Sequence, residues 1–205
     1  GFLTKMLQAL LIVPVLAIIY LIVAPNRLRT RFLQLMAAGL ALLVSAGWWI
    51  AVVEFMPTGM RPYIGGSQTN SVMELVLGYN GLGRLTGDET GSVVPGGGSN
   101  GAGGGVGGMW GETGIGRMFN SEIGGQVAWL IPAAVILGFA ALWLTRRAKR
   151  TDATRTALLV WGGWLAVTML VFSFMQGIFH AYYTVALAPA IGAVVGIAAV
   201  LLWER

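Results

Sequence analysis

The side chains able to do chemistry gather in one polar passage, Arg61 to Gly87 (RPYIGGSQTNSVMELVLGYNGLGRLTG), and at a few positions beside apolar runs. The passage carries Arg61, Tyr63, Gln68, Asn70, Asn80 and Arg84. Outside it stand Lys5 in GFLTKMLQ, Glu54 at the end of an apolar run, and Asn120 and Glu122 in RMFNSEIGG. The single histidine, His180, stands with Tyr182 and Tyr183. Lys5, Arg61, Arg84, Arg117 and His180 are suited to an anionic headgroup, because charge-assisted donors are the strong partners of phosphate oxygens. The imidazole changes charge within the physiological range, which also fits general acid-base work. No carboxylate pair, metal-ligand spacing or nucleophile motif is visible. The glycine tract GSVVPGGGSNGAGGGVGGMWG lacks the preceding strand and the GK[ST] of a nucleotide cradle.

Each candidate also has a plainer reading. Lys5 can lift its ammonium to the headgroups from inside a span, and Glu54 can face water. Asn120 or Ser121 can cap the next span, with Glu122 at that helix's positive end. His180, Tyr182 and Tyr183 can belong to an interfacial aromatic belt. The residues alone leave both readings open.

The elements that must position these groups are membrane helices. Hydrophobic residues make up 56% of the 205, only 10% are charged, and the mean hydropathy is +0.75. That leaves too little polar surface for a soluble globule. A span needs about 20 apolar residues, and five stretches qualify: Met6 to Ala24, Phe32 to Phe55, Val127 to Leu144, Ala157 to Met175 and Thr184 to Trp203. Their runs lack the alternation of a barrel strand, so the expected fold is an all-α, polytopic transmembrane helix bundle. Pro14, inside the first span, is expected to be tolerated, neighbouring helices satisfying the carbonyl it frees.

Residues 1–55 hold the first two spans and an Arg-rich turn, 56–126 form a long loop, and 127–205 hold the last three spans. Arg27, Arg29 and Arg31, then Arg146, Arg147, Lys149, Arg150 and Arg155, and finally Arg205 mark one side as cytoplasmic. The loop and the turn Gln176 to Tyr183 are then extracytoplasmic. The net charge of +5 follows from this topology and implies no nucleic-acid partner. Within the loop, Ser71-Val-Met-Glu74 has capping-box form. Val72, Leu75, Val76 and Tyr79 follow as one apolar stripe, giving a short interfacial helix. Ile115, Met118 and Phe119 make a second stripe, and an irregular glycine-rich insertion is expected from about 87 to 111. Cysteine is absent, and Gly1 opens the sequence without an initiator methionine, as expected of a piece of a longer chain.

Several phrases, in order, carry a resemblance: FLTKMLQ, VSAGWW, the Arg61 to Gly87 passage, the glycine tract, RMFNSEIGGQVAWLIPAA and HAYYTVALAPAIGAVVG. They resemble the actinobacterial GT-C membrane glycosyltransferases of the protein-mannosyltransferase and aminoarabinose-transferase type. The resemblance implies a multi-pass plasma-membrane enzyme that takes a sugar from a polyprenyl-phosphate donor to an extracytoplasmic acceptor. It places Lys5 near the carrier phosphate and His180, Tyr182 and Tyr183 beside the same cavity, with Arg61, Tyr63, Asn80 and Arg84 in a loop over it. The catalytic aspartate of such enzymes follows an earlier span and has no counterpart in this chain, so it is expected upstream, in the other membrane half of the same protein. Some members use a divalent cation, for which the chain shows no ligand set. The alternatives are a transporter or flippase-like subunit and a non-catalytic membrane scaffold. The former predicts charged or broken segments near mid-membrane and repeat symmetry, and neither is visible in the sequence.

Overall fold

In a computed structural model, residues 1–88 and 111–204 are described, and no strand occurs among them. The ordering of the glycine-rich insertion and the placement of Trp110 and Arg205 therefore lie outside the described residues. The protein is an all-α polytopic helix bundle. Four helical segments are long and apolar enough to cross a membrane: Leu28–Glu54, Gly124–Leu144, Ala153–Phe174 and Ala181–Trp203. The broken pair Phe2–Leu10 and Val13–Val23 makes a fifth if counted as one span.

That break differs from the continuous, proline-tolerant first span expected from the sequence, and from the absence of broken segments there. Its cause is Pro14. A proline has no N–H to donate, and its ring collides with the carbonyl four residues earlier, here Leu10. Helix α1 (Phe2–Lys5) runs into a 3-10 stretch, Met6–Leu10, that stops at this residue. Helix α2 (Val13–Val23) then starts afresh with Pro14 in its first turn, where a missing N–H costs nothing.

The chain divides into two compact units. Residues 1–10, 33–112 and 175–179 form the first; residues 11–32, 113–174 and 180–205 form the second. The first unit contains most of helix α3 (Leu28–Glu54), then α4 (Val72–Leu77), a π-helical turn Gly78–Leu82 and α5 (Gly83–Thr86). Its core is Val53, Val72 and Val76, with Phe2, Met6, Leu7, Ile50 and Ile64 packed around them. Gly81 is needed in the π turn, because a Cβ there would overlap the Val76 carbonyl.

The second unit packs α9 (Ala188–Trp203) against α7 (Ile131–Leu144) and α8 (Ala153–Phe174), and α2 against α8. Ala141, Leu158 and Ala198 meet in one cluster, so α7 and α9 end at the level where α8 begins. Short turns, α6 (Gly124–Val127) with 3-10 Ala128–Leu130 and 3-10 Ala181–Leu187, lead into α7 and α9. Pro132 and Pro189 open those two helices. Leu40, Leu43, Phe139, Trp129 and Val185 are all more than half exposed. Outward apolar side chains on this scale suit a lipid solvent and not water.

Two adjacent glycines on α8 separate packing from propensity. A Cβ on Gly163 would stand 2.6 Å from Cγ1 of Val15, a stiff β-branched neighbour, whereas at Gly162 nothing lies within 4 Å. Gly163→Ala is expected to destabilise by about 1–3 kcal/mol through overpacking. Gly162→Ala is expected to be neutral or to stabilise by up to about 1 kcal/mol through helix propensity. Thermal unfolding of the detergent-solubilised protein checks both.

Candidate functional site

The polar passage is built around two carboxylates. Glu54 ends α3 and offers its oxygens to the start of α4. It accepts from Ser71 Oγ at 3.0 and 3.1 Å, from the Val72 amide at 3.0 Å and from the Met73 amide at 3.4 Å. These first-turn amides have no partner within a helix. Arg61 closes the arrangement from the other side, with Nη1 3.3 Å from the Glu54 carboxylate. It also donates to the carbonyls of Glu54 at 2.5 Å, Met56 at 3.0 Å and Asn70 at 3.4 Å. The fork of one arginine thus fastens two points of the loop, Met56 and Asn70, to the end of α3.

Glu74 organises the next turn. The capping box expected at Ser71-Glu74 forms by half: Ser71 Oγ accepts from the Glu74 amide at 3.2 Å. The Glu74 carboxylate reaches past Ser71 to the preceding loop. It accepts from Ser67 Oγ and Thr69 Oγ1, both at 2.6 Å, and from the amides of Gln68 and Thr69, both at 2.9 Å. The Ser71 amide donates to Ser67 Oγ at 2.8 Å instead. Asn70 adopts a left-handed φ of 56°, which asparagine tolerates, and accepts from the Ile64 amide at 2.7 Å.

Of the other loop candidates, Tyr63 is 90% exposed and Asn80 is half-buried in the π turn. Arg84 lies 4.4 Å from the centre of the Tyr79 ring, a cation-π distance. Main-chain carbonyls of Arg84 and Leu85 accept from the amides of Gly177 and Gln176 at 3.0 and 3.2 Å. This ties the loop to the segment that runs on to His180. Gly87 takes a left-handed φ of 82° beside Gln176.

Lys5 is exposed and stands between Phe2 and Leu7, two residues that line an apolar trough of about 490 Å³ within the first unit. Leu42, Ala46 and Ile50 of α3 form one wall, Met73 and Val76 of α4 another, and Glu54 is the one ionisable lining residue among the described residues. From Leu42 to Glu54 the wall runs about 18 Å at helical rise. Sequence reading identified Glu54 and Lys5 but not the trough. Its lining residues are ordinary apolar residues, and no periodic signal separates a trough wall from a lipid-facing one.

His180, Tyr182 and Tyr183 belong to the second unit and form one ring cluster. His180 stacks on Tyr182 with centroids 5.3 Å apart, and Tyr183 meets both edge-on at 5.5 and 4.8 Å. Arg117 of the 3-10 turn Ile115–Phe119 is 3% exposed. It donates to the Phe172 carbonyl at 3.0 Å, while the Gly114 amide donates to Ser173 at 2.7 Å. Together they close the last turn of α8, and burial pushes the Arg117 pKa down. Asn120 Oδ1 accepts from the amides of Glu122 and Ile123 at 3.1 and 2.8 Å; it braces the turn before α6 and does not cap the third span as expected, since α6 has Ile123 as its N-cap with no side-chain bond, and Glu122 is exposed. Among the described residues no cluster of three His, Asp or Glu is placed to hold a metal ion.

An all-α bundle with several candidate spans, and a polar loop fastened to one of them beside an apolar trough, defines a polytopic membrane protein. Over nearly its whole length the chain is similar to two Bacillus subtilis (strain 168) proteins. With "Putative mannosyltransferase YkcB" it is 31% identical over 274 aligned positions, covering 96% of this chain and 38% of that protein. With "Putative mannosyltransferase YycA" it is 29% identical over 262, covering 94% and 38%. The chain therefore spans 38% of the length of each of these curated relatives. No protein-family model matches the sequence, and no solved structure does.

Glu74 sets an acid limit on the loop. Hydrogen bonds from the Ser67 and Thr69 hydroxyls, then from the Gln68 and Thr69 amides, hold its carboxyl at about 2 against an ordinary 4.5. The folded value lies below the unfolded one, so the stabilisation is complete above about 4.5 and is lost as pH falls toward about 2. Hydrogen-exchange protection of the Gln68 and Thr69 amides is expected to drop through that window. In Glu74→Gln that protection is expected to be weaker at neutral pH and flat with acid.

Proposed function

We propose that this chain forms the donor-lipid side of a membrane glycosyltransferase that moves a sugar, mannose by similarity, from a polyprenyl-phosphate carrier to an extracytoplasmic acceptor at the plasma membrane. The observation that carries the reading is the apolar trough lined by Phe2 and Leu7, between which the exposed Lys5 stands in sequence, in a chain aligned over 96% of its length with a protein named a putative mannosyltransferase. A trough walled by Leu, Ile and Phe suits a hydrocarbon tail. A cation in the same helical turn suits the phosphate at its end.

The reaction is an inverting displacement. The acceptor hydroxyl oxygen bonds to the anomeric carbon as the bond from that carbon to the phosphate oxygen breaks. The hydroxyl proton passes to a general base, an aspartate expected in the upstream half of the full protein. Lys5, with Arg84 of the same unit, stabilises the departing polyprenyl phosphate. Arg61 and Glu54 act by holding the loop, with Tyr63 and Asn80 presented on it. Asn120 and Glu122 serve the entry to the third span. A divalent cation finds no donor set in the described residues, and no step here depends on one.

The broken first span favours a second reading, a transporter or flippase-like subunit, because discontinuous helices are a mark of such proteins. A proline accounts for the break without a transported substrate. Membranes carrying the full-length protein separate the two readings when supplied with radiolabelled mannosyl polyprenyl phosphate. Label is expected to reach the acceptor fraction, and Lys5→Ala is expected to reduce transfer about tenfold or more. Undiminished transfer by Lys5→Ala would remove Lys5 from the phosphate site. Movement of the donor across the bilayer without transfer would establish the transporter.

A further inference from the structure

At the end of the second unit where α2, α7 and α9 stop, two arginines from different connections converge on one helix terminus. Arg31 donates through Nη1 to the carbonyls of Leu21 and Ile22, and through Nε to Asn26 at 2.7 Å. Arg150, more than a hundred residues later, donates through Nη1 to Ile22 at 2.6 Å and to Ala24 at 2.8 Å. The Ile22 carbonyl is thus shared by two guanidinium groups. A helix C-terminus offers about half a negative charge, too little to balance two full positive ones.

The surrounding sequence does not supply the rest. The two connections, residues 24–32 and 145–156, hold eight basic residues and one acidic residue, Asp152. Its Oδ1 accepts from the Arg155 amide at 2.8 Å at the start of α8. Glu204, at the end of α9, is the other carboxylate at this level. Arg155 itself donates to the Thr145 carbonyl at 3.0 Å, closing α7. Among the described residues Arg150 uses only Nη1 on the protein, and it is exposed. Its other edge is available to an anion.

An adjacent tryptophan indicates where that anion comes from. Trp143 is 66% exposed in the last turn of α7, and the Arg146 guanidinium lies 4.2 Å from the centre of its ring. An outward indole at a span's end marks the headgroup level of a bilayer. We propose that Arg150, with Arg31 beside it, holds the phosphodiester of an anionic phospholipid at this end of the unit. The site is separate from the donor trough, which lies in the other unit, and does not rest on the glycosyltransferase reading. A bulk excess of loop charge is enough to orient a membrane protein, whereas a paired grip on one helix end selects a headgroup at one place.

The test uses the purified full-length protein in neutral detergent micelles doped with phosphatidylglycerol or with phosphatidylcholine. Thermal stability is followed as lipid is titrated. Phosphatidylglycerol is expected to raise the melting temperature saturably and phosphatidylcholine is not. Arg150→Gln is expected to weaken the apparent affinity for phosphatidylglycerol about fivefold, the effect of one basic residue at a membrane surface. Arg147→Gln, which removes the same charge from the same exposed connection, is expected to change it little. If Arg150→Gln does not fold, Arg150→Lys answers the same question, because one ammonium cannot hold two carbonyls and also fork a phosphate. Its affinity is expected to fall in the same direction. Equal affinity for the two lipids, or equal weakening by Arg147→Gln, would overturn the site in favour of diffuse charge. A shift of the same size with inorganic phosphate alone would overturn the assignment to a lipid.

Discussion

A backbone polar group at a helix end must find a partner, and in apolar surroundings water does not provide one. That constraint governs where the charged residues of this protein go. Glu54 serves the start of α4. Arg117 closes α8, Arg155 closes α7, and Arg31 and Arg150 together close α2. The signs are not arbitrary. The carboxylate meets the positive, N-terminal end of a helix and the guanidinium groups meet negative, C-terminal ends, as the helix dipole requires. A chain with only 10% charged residues spends a large part of them on joining spans and loops.

This spending sorts the cations that residue type alone groups together. Arg61 and Arg117 are built into the scaffold through several main-chain carbonyls or through deep burial. A guanidinium committed in that way serves the segment it positions. Lys5 and Arg84 are different, since the first is exposed at a turn lining the trough and the second lies over a tyrosine ring. The loop between them is stiff at its base, where the Glu54 and Glu74 networks cross-link residues 54–74. It is then handed on through Gly177 and Gln176 to the turn before His180.

Much of the fold was legible in the sequence because a membrane imposes a length and a composition that a count of apolar residues detects. The second to fifth spans were read to within a few residues, and Ser71 was read as a cap from type and position. The first span was misread because its hydropathy stays high across Leu11 and Ile12. Hydropathy registers apolar surface, while the break depends on which carbonyl stands four residues before Pro14. The site was legible only in part. The helix-start partners of Glu54, Ser71 to Met73, lie 17 to 19 residues away, a separation no local spacing rule addresses. The bond between Arg150 and Ile22 spans 128 residues.

Glu54 joins the two halves of the first unit's design. It lines the apolar trough, and it holds the loop that stands at the end of α3. A carboxylate at the rim of an apolar trough is costly unless its charge is answered. The answer is local: Arg61, the Ser71 hydroxyl and two amides of α4 surround it. With that charge answered inside the scaffold, the rest of the described lining is apolar, and the exposed Lys5 stands in sequence between two of its residues, Phe2 and Leu7. The same carboxylate thus ties the trough wall to the loop without leaving an unanswered charge between them.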